Sequence, residues 1–421
     1  MMDFILKMRN SKKLKIIIYI SLCVLLGAYF FSIPSFSNRN PWKYITYASL
    51  ILLTGATFVY IFLYDKFKFD RKIIIPFVFV VDAFICTMIY TPSNWRDWIS
   101  VLLLAISFVV IFYSCKCINK QKLILKILLI AFLAFGFYYA IIPEHRMKIF
   151  TFSLSMKDRL GYFDNVNLIA SYFAIGFGIS LYLGLIHNNK LDYLYLLACL
   201  PFMYLGLFTG SRAYIFLLAI FFISIAYLKF KNRKIIYFSV LGAFVVLLVF
   251  LVIFVPTMRE QFDKTLYTIF GIGEPDPKKI ETSAIQRVLW MKYGFVLGSK
   301  NLIIGFGCDG FNVHSGIGTY AHNNFAEVLC DFGLPGFIFF YFMILYAFAL
   351  HFVSKKECSN FAVPFAFYYI VKSMFGVFYD YKDFYILLGV CYFFIDDVSF
   401  ADLSNSIARR FKKENEATVY I

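Results

Sequence analysis

Apolar stretches of about 20 residues recur along the chain from one end to the other. They are continuous rather than alternating, which selects helices over barrel strands. Each is long enough to cross a hydrocarbon core about 30 Å thick. In lipid only a helix or a closed barrel satisfies its own backbone groups. The pattern predicts spans over about 14–33, 44–64, 73–90, 97–114, 123–142, 166–186, 191–208, 212–229, 235–255, 334–353, 361–378 and 382–397.

The polar residues between these stretches set the topology. Lys7, Arg9, Lys12 and Lys13 precede the first span; Lys66, Lys68, Arg71 and Lys72 follow the second; Lys116, Lys120 and Lys122 follow the fourth. Lys229, Lys231, Arg233 and Lys234 follow the eighth, Lys355 and Lys356 the tenth, and Arg409, Arg410, Lys412 and Lys413 the twelfth. With about twelve spans these clusters share one side, which the positive-inside rule makes cytoplasmic, with both termini there. The first span is long enough to remain as an anchor rather than be cleaved.

Two outward connections are long, about 143–165 and 256–333. Only the second holds enough polar sequence for a small folded subdomain. Gly271, Gly273, Pro275 and Pro277 mark irregular structure in it, and 281–297 and 322–332 read as helical. The expected organisation is spans 1–9 over 1–255, an extracytoplasmic loop with short helices over 256–333, spans 10–12 over 334–398, and a cytoplasmic tail over 399–421. The fold class is therefore all-α integral membrane, a polytopic bundle of about 12 helices with one large outer loop.

Composition agrees. Hydrophobic residues make up 61% and charged residues 16%, with a mean hydropathy of +0.74. A soluble domain has about 45–50% apolar and about 25% charged residues. The net charge of +16 sits in the loop clusters, so it reads as topology and implies no nucleic-acid partner. Among the nine cysteines, Cys23, Cys86, Cys199 and Cys391 lie in apolar spans, and the Cys115-x-Cys117 pair lacks further ligands, so no metal site is expected. Cys308 and Cys330 share the outer loop and could form a disulfide.

Three outward patches carry candidate chemistry. The first runs from Arg159 through Gly161 to Asn167, at the start of the sixth span. The second is Thr209-Gly210-Ser211-Arg212, on a short turn. A guanidinium matches phosphate oxygens with a planar donor fork, and Gly210 and Ser211 before a helix would add backbone donors and a capping hydroxyl. The alternative for Arg212 is a snorkelling arginine at a helix end. The third patch holds Arg287 and Trp290, Gly305-Phe306-Gly307, Phe311, then His322-Asn323 and Glu327, then Gly333 and Gly336. Arg287 has the same two readings as Arg212. His322 is either a helix-start residue or a proton acceptor for a hydroxyl, the usual role of an imidazole. Asn323, Glu327 and Asp331 follow it at four-residue spacing on one helix face.

The order R-x-G…N, T-G-S-R, G-x-G…F…H-N-x-x-x-E…G-x-x-G resembles the O-antigen ligase and oligosaccharide repeat-unit polymerase family, over about 160–340. One departure is Val166-Asn167, where the family often has Pro-Asn. The resemblance implies a metal-independent and cofactor-free glycosyltransferase of GT-C-like architecture in the inner membrane of a bacterium. Its donor would be an undecaprenyl-pyrophosphate-linked oligosaccharide and its acceptor a growing glycan, with a chain-length regulator and a flippase as further partners. By resemblance Arg212 and Arg287 would bind the pyrophosphate, His322 would deprotonate the acceptor hydroxyl, and a single displacement would invert the anomeric carbon. Arg159, Asn167, Ser211, Asn323 and Glu327 would position substrate. The abundance of Lys, Ile, Phe and Tyr points to an AT-rich genome and favours a polymerase over a ligase. Asp82 and Lys372, inside apolar spans, are the features that would instead fit a flippase.

Overall fold

The computed structural model describes residues 11–32, 41–65, 69–141, 166–186, 189–209, 211–254, 259, 282–354 and 356–395. Among these the chain is helical, without strands. Among the described residues eight helices are long and apolar enough to cross a membrane. The chain is thus a polytopic helical membrane protein.

In chain order the helices are α1 (Ser11–Ser32), α2 (Pro41–Tyr60), α3 (Ile74–Tyr90), α4 (Trp95–Ile118), α5 (Gln121–Ile141), α6 (Val166–Ile186), α7 (Cys199–Phe208, entered by a 3₁₀ stretch over Lys190–Ala198), α8 (Arg212–Phe230) and α9 (Lys234–Phe254). The segment expected to be the outer one contributes α10 (Thr282–Lys300) and α11 (Gly310–Ser315). The chain returns through α12 (Asn324–His351), α13 (Ala362–Lys372) and α14 (Lys382–Phe393). Terminators are legible in places: α4 stops where Asn119 adopts a left-handed φ of 49° and donates its N–H to Cys115 O.

Hydrogen bonds sort the connections into two ends. At one end Lys122 pairs with Asp192 (2.6 Å), Lys116 with Asp70 (3.3 Å), and Lys72 Nζ donates to Ile395 O (3.0 Å). Lys356 Nζ donates to Phe393 O (3.0 Å) at the same end. At the other end Asn94 Nδ2 donates to Cys308 O (3.1 Å), Ser211 Oγ to Asn167 Oδ1 (2.6 Å) and Asn324 N to Ser373 O (2.8 Å). Each of these joins connections that the alternation of spans puts on the same side.

Between the ends the packing is apolar and rich in rings. Lipid tails are as apolar as leucine, so close packing rather than expulsion from water holds such helices together. At the meeting of α12, α13 and α14, Phe340 lies 5.1 Å from Phe384 and 5.8 Å from Phe378, and Tyr369 lies 5.0 Å from Phe384. Among the eight long apolar helices α6 is the most enclosed.

The tenth span departs from the expected 334–353. Its helix starts ten residues earlier, at Asn324, and breaks at Gly333 (φ 63°, ψ −166°) rather than starting there. That conformation is open to glycine, and Pro335 follows where a new helical segment has no N–H to lose. The break frees backbone carbonyls, and the loop after α10 takes them up. Phe306 N donates to Cys330 O (2.9 Å), Gly307 N to Asp331 O (2.6 Å), and Leu334 N to Leu302 O (2.7 Å). A side chain at Gly305 would strike Asp331 O, 2.5 Å from its Cβ position. The G-x-G and G-x-x-G motifs therefore build a backbone crossing.

Span 11, expected over 361–378, also ends early. The helix stops at Lys372, and 373–381 form an irregular outer turn. Buried Asn324 holds that turn: its Oδ1 accepts from Phe378 N (2.9 Å) and Tyr379 N (3.2 Å). Cys308 and Cys330 are buried free thiols, so the disulfide considered from sequence is not formed.

Candidate functional site

The outer segment carries a hydrophobic core of its own. Leu297, Phe311, Ala321, Ala326 and Cys330 are buried together, with Trp290, Met291, Tyr293, Phe306 and Ile317 packed on them. It forms because α10 lies unusually close to the first half of α12. A Cβ at Gly294 would stand 3.0 Å from Ala326 Cβ, and one at Gly298 would stand 3.1 Å from Cys330 N. Glycines four apart let two backbones meet. Extending that face toward the N-terminus of α10 by helical spacing reaches Trp290 and Arg287. The glycine contact thus delivers both to the start of α12.

His322 waits there. Its ring stacks on Trp290 (centroids 5.2 Å, 19° between planes), and Tyr320 covers it (4.1 Å, 40°). Burial, and secondarily the nearby Arg287 guanidinium, lowers the imidazole from its ordinary 6.5 to about 4. The ring is therefore neutral at physiological pH, with a lone pair to offer. Its backbone is left-handed, φ 56°, a conformation uncommon for a residue with a side chain.

His322 does not cap the helix. The N-cap is Asn323, whose Oδ1 accepts from Ala326 N at 3.0 Å. Glu327 is buried, and its Oε2 accepts from Ala321 N at 2.5 Å. It thus anchors the peptide entering His322 rather than the ring. Asp331, one turn further, accepts from Phe311 N (2.9 Å) and Tyr379 OH (2.9 Å), tying the outer core to the 373–381 turn.

The second patch has a different local logic from the one expected. Ser211 is the N-cap of α8, but its hydroxyl makes no cap bond and donates to Asn167 Oδ1 instead. Arg212, half-buried, opens α8. Asn167, Ala213 and Tyr320 line one small cavity with Lys372 and Tyr381. Tyr320 is the residue on His322, and Ala213 is the neighbour of Arg212. Asn167 of the first patch therefore borders this space, and Arg212 and His322 adjoin it through their neighbours Ala213 and Tyr320. Arg159 and Gly210 lie outside the described residues.

Lys372 was suspected from sequence as an isolated intramembrane charge. It pairs with buried Asp383 (3.1 Å), which also accepts from Tyr369 OH (3.0 Å). Four rings surround its ammonium, those of Tyr368, Tyr369, Phe378 and Tyr381, at 5.3–5.7 Å. Tyr320 and the Gly294/Gly298 stripe are the features of this end that motif reading missed. A small-x-x-x-small count on 294–298 would have found the last.

The scaffold and site define a class: a multi-pass helical membrane protein with a small cavity at one end of the bundle, lined by Lys372 and by Tyr320, whose ring covers His322. Residues 196–341 match the family described as O-antigen ligase. The matched segment runs from the end of the 3₁₀ stretch before α7 to the middle of α12 and includes Ser211, Arg212, Arg287, His322, Asn323 and Glu327. Arg159 and Asn167 precede the matched region. No curated protein matches the chain.

Proposed function

We propose that this protein polymerises lipid-linked oligosaccharide repeat units on the outer face of the bacterial cytoplasmic membrane. The donor is a glycan on undecaprenyl pyrophosphate and the acceptor is a sugar hydroxyl of another glycan. The observation that carries this reading is the neutral His322 imidazole beside the Arg287 guanidinium, at the same end of the bundle as Arg212.

In this mechanism Arg212 and Arg287 hold the pyrophosphate, for which a planar donor fork is suited. Arg159, Asn167 and Ser211 position the donor, while Asn323 and Glu327 fix the peptide that presents His322. A ring nitrogen of His322 takes the acceptor hydroxyl proton as the oxygen bonds to the anomeric carbon. The bond from that carbon to the pyrophosphate breaks, and its electron pair leaves with undecaprenyl pyrophosphate. Inversion follows from the single displacement. An imidazole near 4 is a weak base, but an arriving pyrophosphate offsets the Arg287 charge and raises its basicity. Charge on the leaving group is stabilised by both guanidinium groups.

The description of the matched family favours a second reading, ligation of the glycan to a different acceptor. Purified protein in liposomes with labelled lipid-linked repeat units separates the readings. Longer lipid-linked chains support polymerisation. Transfer only when a distinct acceptor is added supports ligation. Movement of the lipid across the bilayer without a new bond would sink both.

A further inference from the structure

A second cavity lies away from His322. It measures about 780 Å³ and opens between α1, α2, α4 and α14, on the far side of the 373–381 turn from the Lys372 pocket. Along α4 its lining runs from Asp97 to Ile111, about 21 Å at 1.5 Å per residue. That is somewhat more than one leaflet of a core about 30 Å thick. The deep wall is apolar, with Leu25, Leu50, Leu104 and Ile386. The charges gather at the outer ends of the lining elements: Asp97, Asp309 and Asp380, with Lys382 beside them.

The shape is that of an amphiphile, with room for a hydrocarbon chain one leaflet long and a charged head. The head chemistry is asymmetric. Three carboxylates repel a lipid whose head is only phosphate, so the pyrophosphate donor is a poor occupant. One ammonium among them, that of Lys382, stands 6.0 Å from the centre of the Tyr47 ring that also lines the cavity, and in addition to that contact it can take a single phosphodiester. We propose that this cavity binds a zwitterionic phospholipid with a primary ammonium, its phosphodiester on Lys382, its ammonium on Asp309, Asp380 and Asp97, and an acyl chain along α4. A primary ammonium donates three hydrogen bonds to carboxylates; a quaternary one donates none, which separates ethanolamine from choline heads. The site makes no use of Arg212, Arg287 or His322, so it stands independently of the glycosyl-transfer reading.

The test is lipid retention by the full-length protein. Protein in detergent is mixed with phosphatidylethanolamine, phosphatidylcholine and phosphatidylglycerol of identical chains, and bound lipid is quantified by native mass spectrometry. The ethanolamine lipid should bind at least about tenfold tighter than either other, the scale of one charge-assisted hydrogen bond. Asp309→Asn/Asp380→Asn should abolish that preference, and Leu104→Trp should block occupancy altogether. Should Leu104→Trp fail to fold, the carboxylate pair decides alone. Equal binding of choline and ethanolamine lipids, preference for the glycerol lipid, or displacement by the lipid-linked glycan would each overturn the assignment.

Discussion

Removing the Arg287 charge should raise the basicity of His322, and by an amount the site constrains. The imidazole is lowered from 6.5 to about 4, with burial the larger cause and Arg287 the second. Arg287→Gln keeps a polar, hydrogen-bonding side chain, though a shorter one, leaves the Trp290–His322 stack in place and deletes the charge. Only the second cause is relieved, so the His322 titration should move upward by about one unit, equivalent to about 1.4 kcal/mol, and stop short of 6.5. The protonated imidazole cannot accept a proton, so activity falls as pH drops through this value. The acid limb of kcat/KM, which reports the free enzyme, should therefore sit at higher pH in the variant than in the wild type. In the wild type the limb of kcat should already lie above that of kcat/KM, because bound pyrophosphate offsets Arg287. The assay is elongation of labelled lipid-linked repeat units across pH, with ¹³C-histidine NMR as the direct titration. A His322 titration near 4 in Arg287→Gln would show that the guanidinium does not act on the ring.

Three other outcomes follow from the packing and topology. Gly298→Leu should force α10 away from Cys330, unseat Trp290 from His322, and reduce turnover while the protein still inserts; an unchanged rate would mean that the glycine contact does not set the site. Lys372→Met should destabilise the outer end by about 3–5 kcal/mol, because Asp383 is left as a buried unpaired carboxylate, and thermal unfolding in detergent checks this. Cysteines introduced near 275 should react with an impermeant reagent added from outside, and those near 231 should not, as the charge alternation requires.

Much of the scaffold could be read from the chain. Uninterrupted apolar runs placed most of the long helices within a few residues, the tenth span excepted, and the charge clusters sorted the connections. Where the reading failed, a partner distant in sequence decided the outcome. Ser211 looked like a helix cap, but its hydroxyl is taken by Asn167, 44 residues earlier. Span 11 looked continuous to 378, but Asn324 binds the backbone of 378 and 379 and unwinds it. Gly333 read as a helix boundary, whereas it is a break whose freed carbonyls are paired by 306 and 307. The candidate residues themselves were legible as motifs. Their meeting was not, since the Trp290–His322 stack depends on α10 and α12 touching through glycines.

The central claim is that His322 accepts the proton of the attacking hydroxyl, and His322→Asn tests it most directly. Asparagine tolerates the left-handed backbone at this position better than alanine, and it keeps hydrogen bonding, but it cannot take a proton at neutral pH. A positioned base contributes about 10²–10⁴-fold. Single-turnover elongation by purified His322→Asn should slow by about that factor, with binding of the lipid-linked donor unchanged. A wild-type elongation rate in this variant would contradict the account and leave His322 a packing residue between Trp290 and Tyr320.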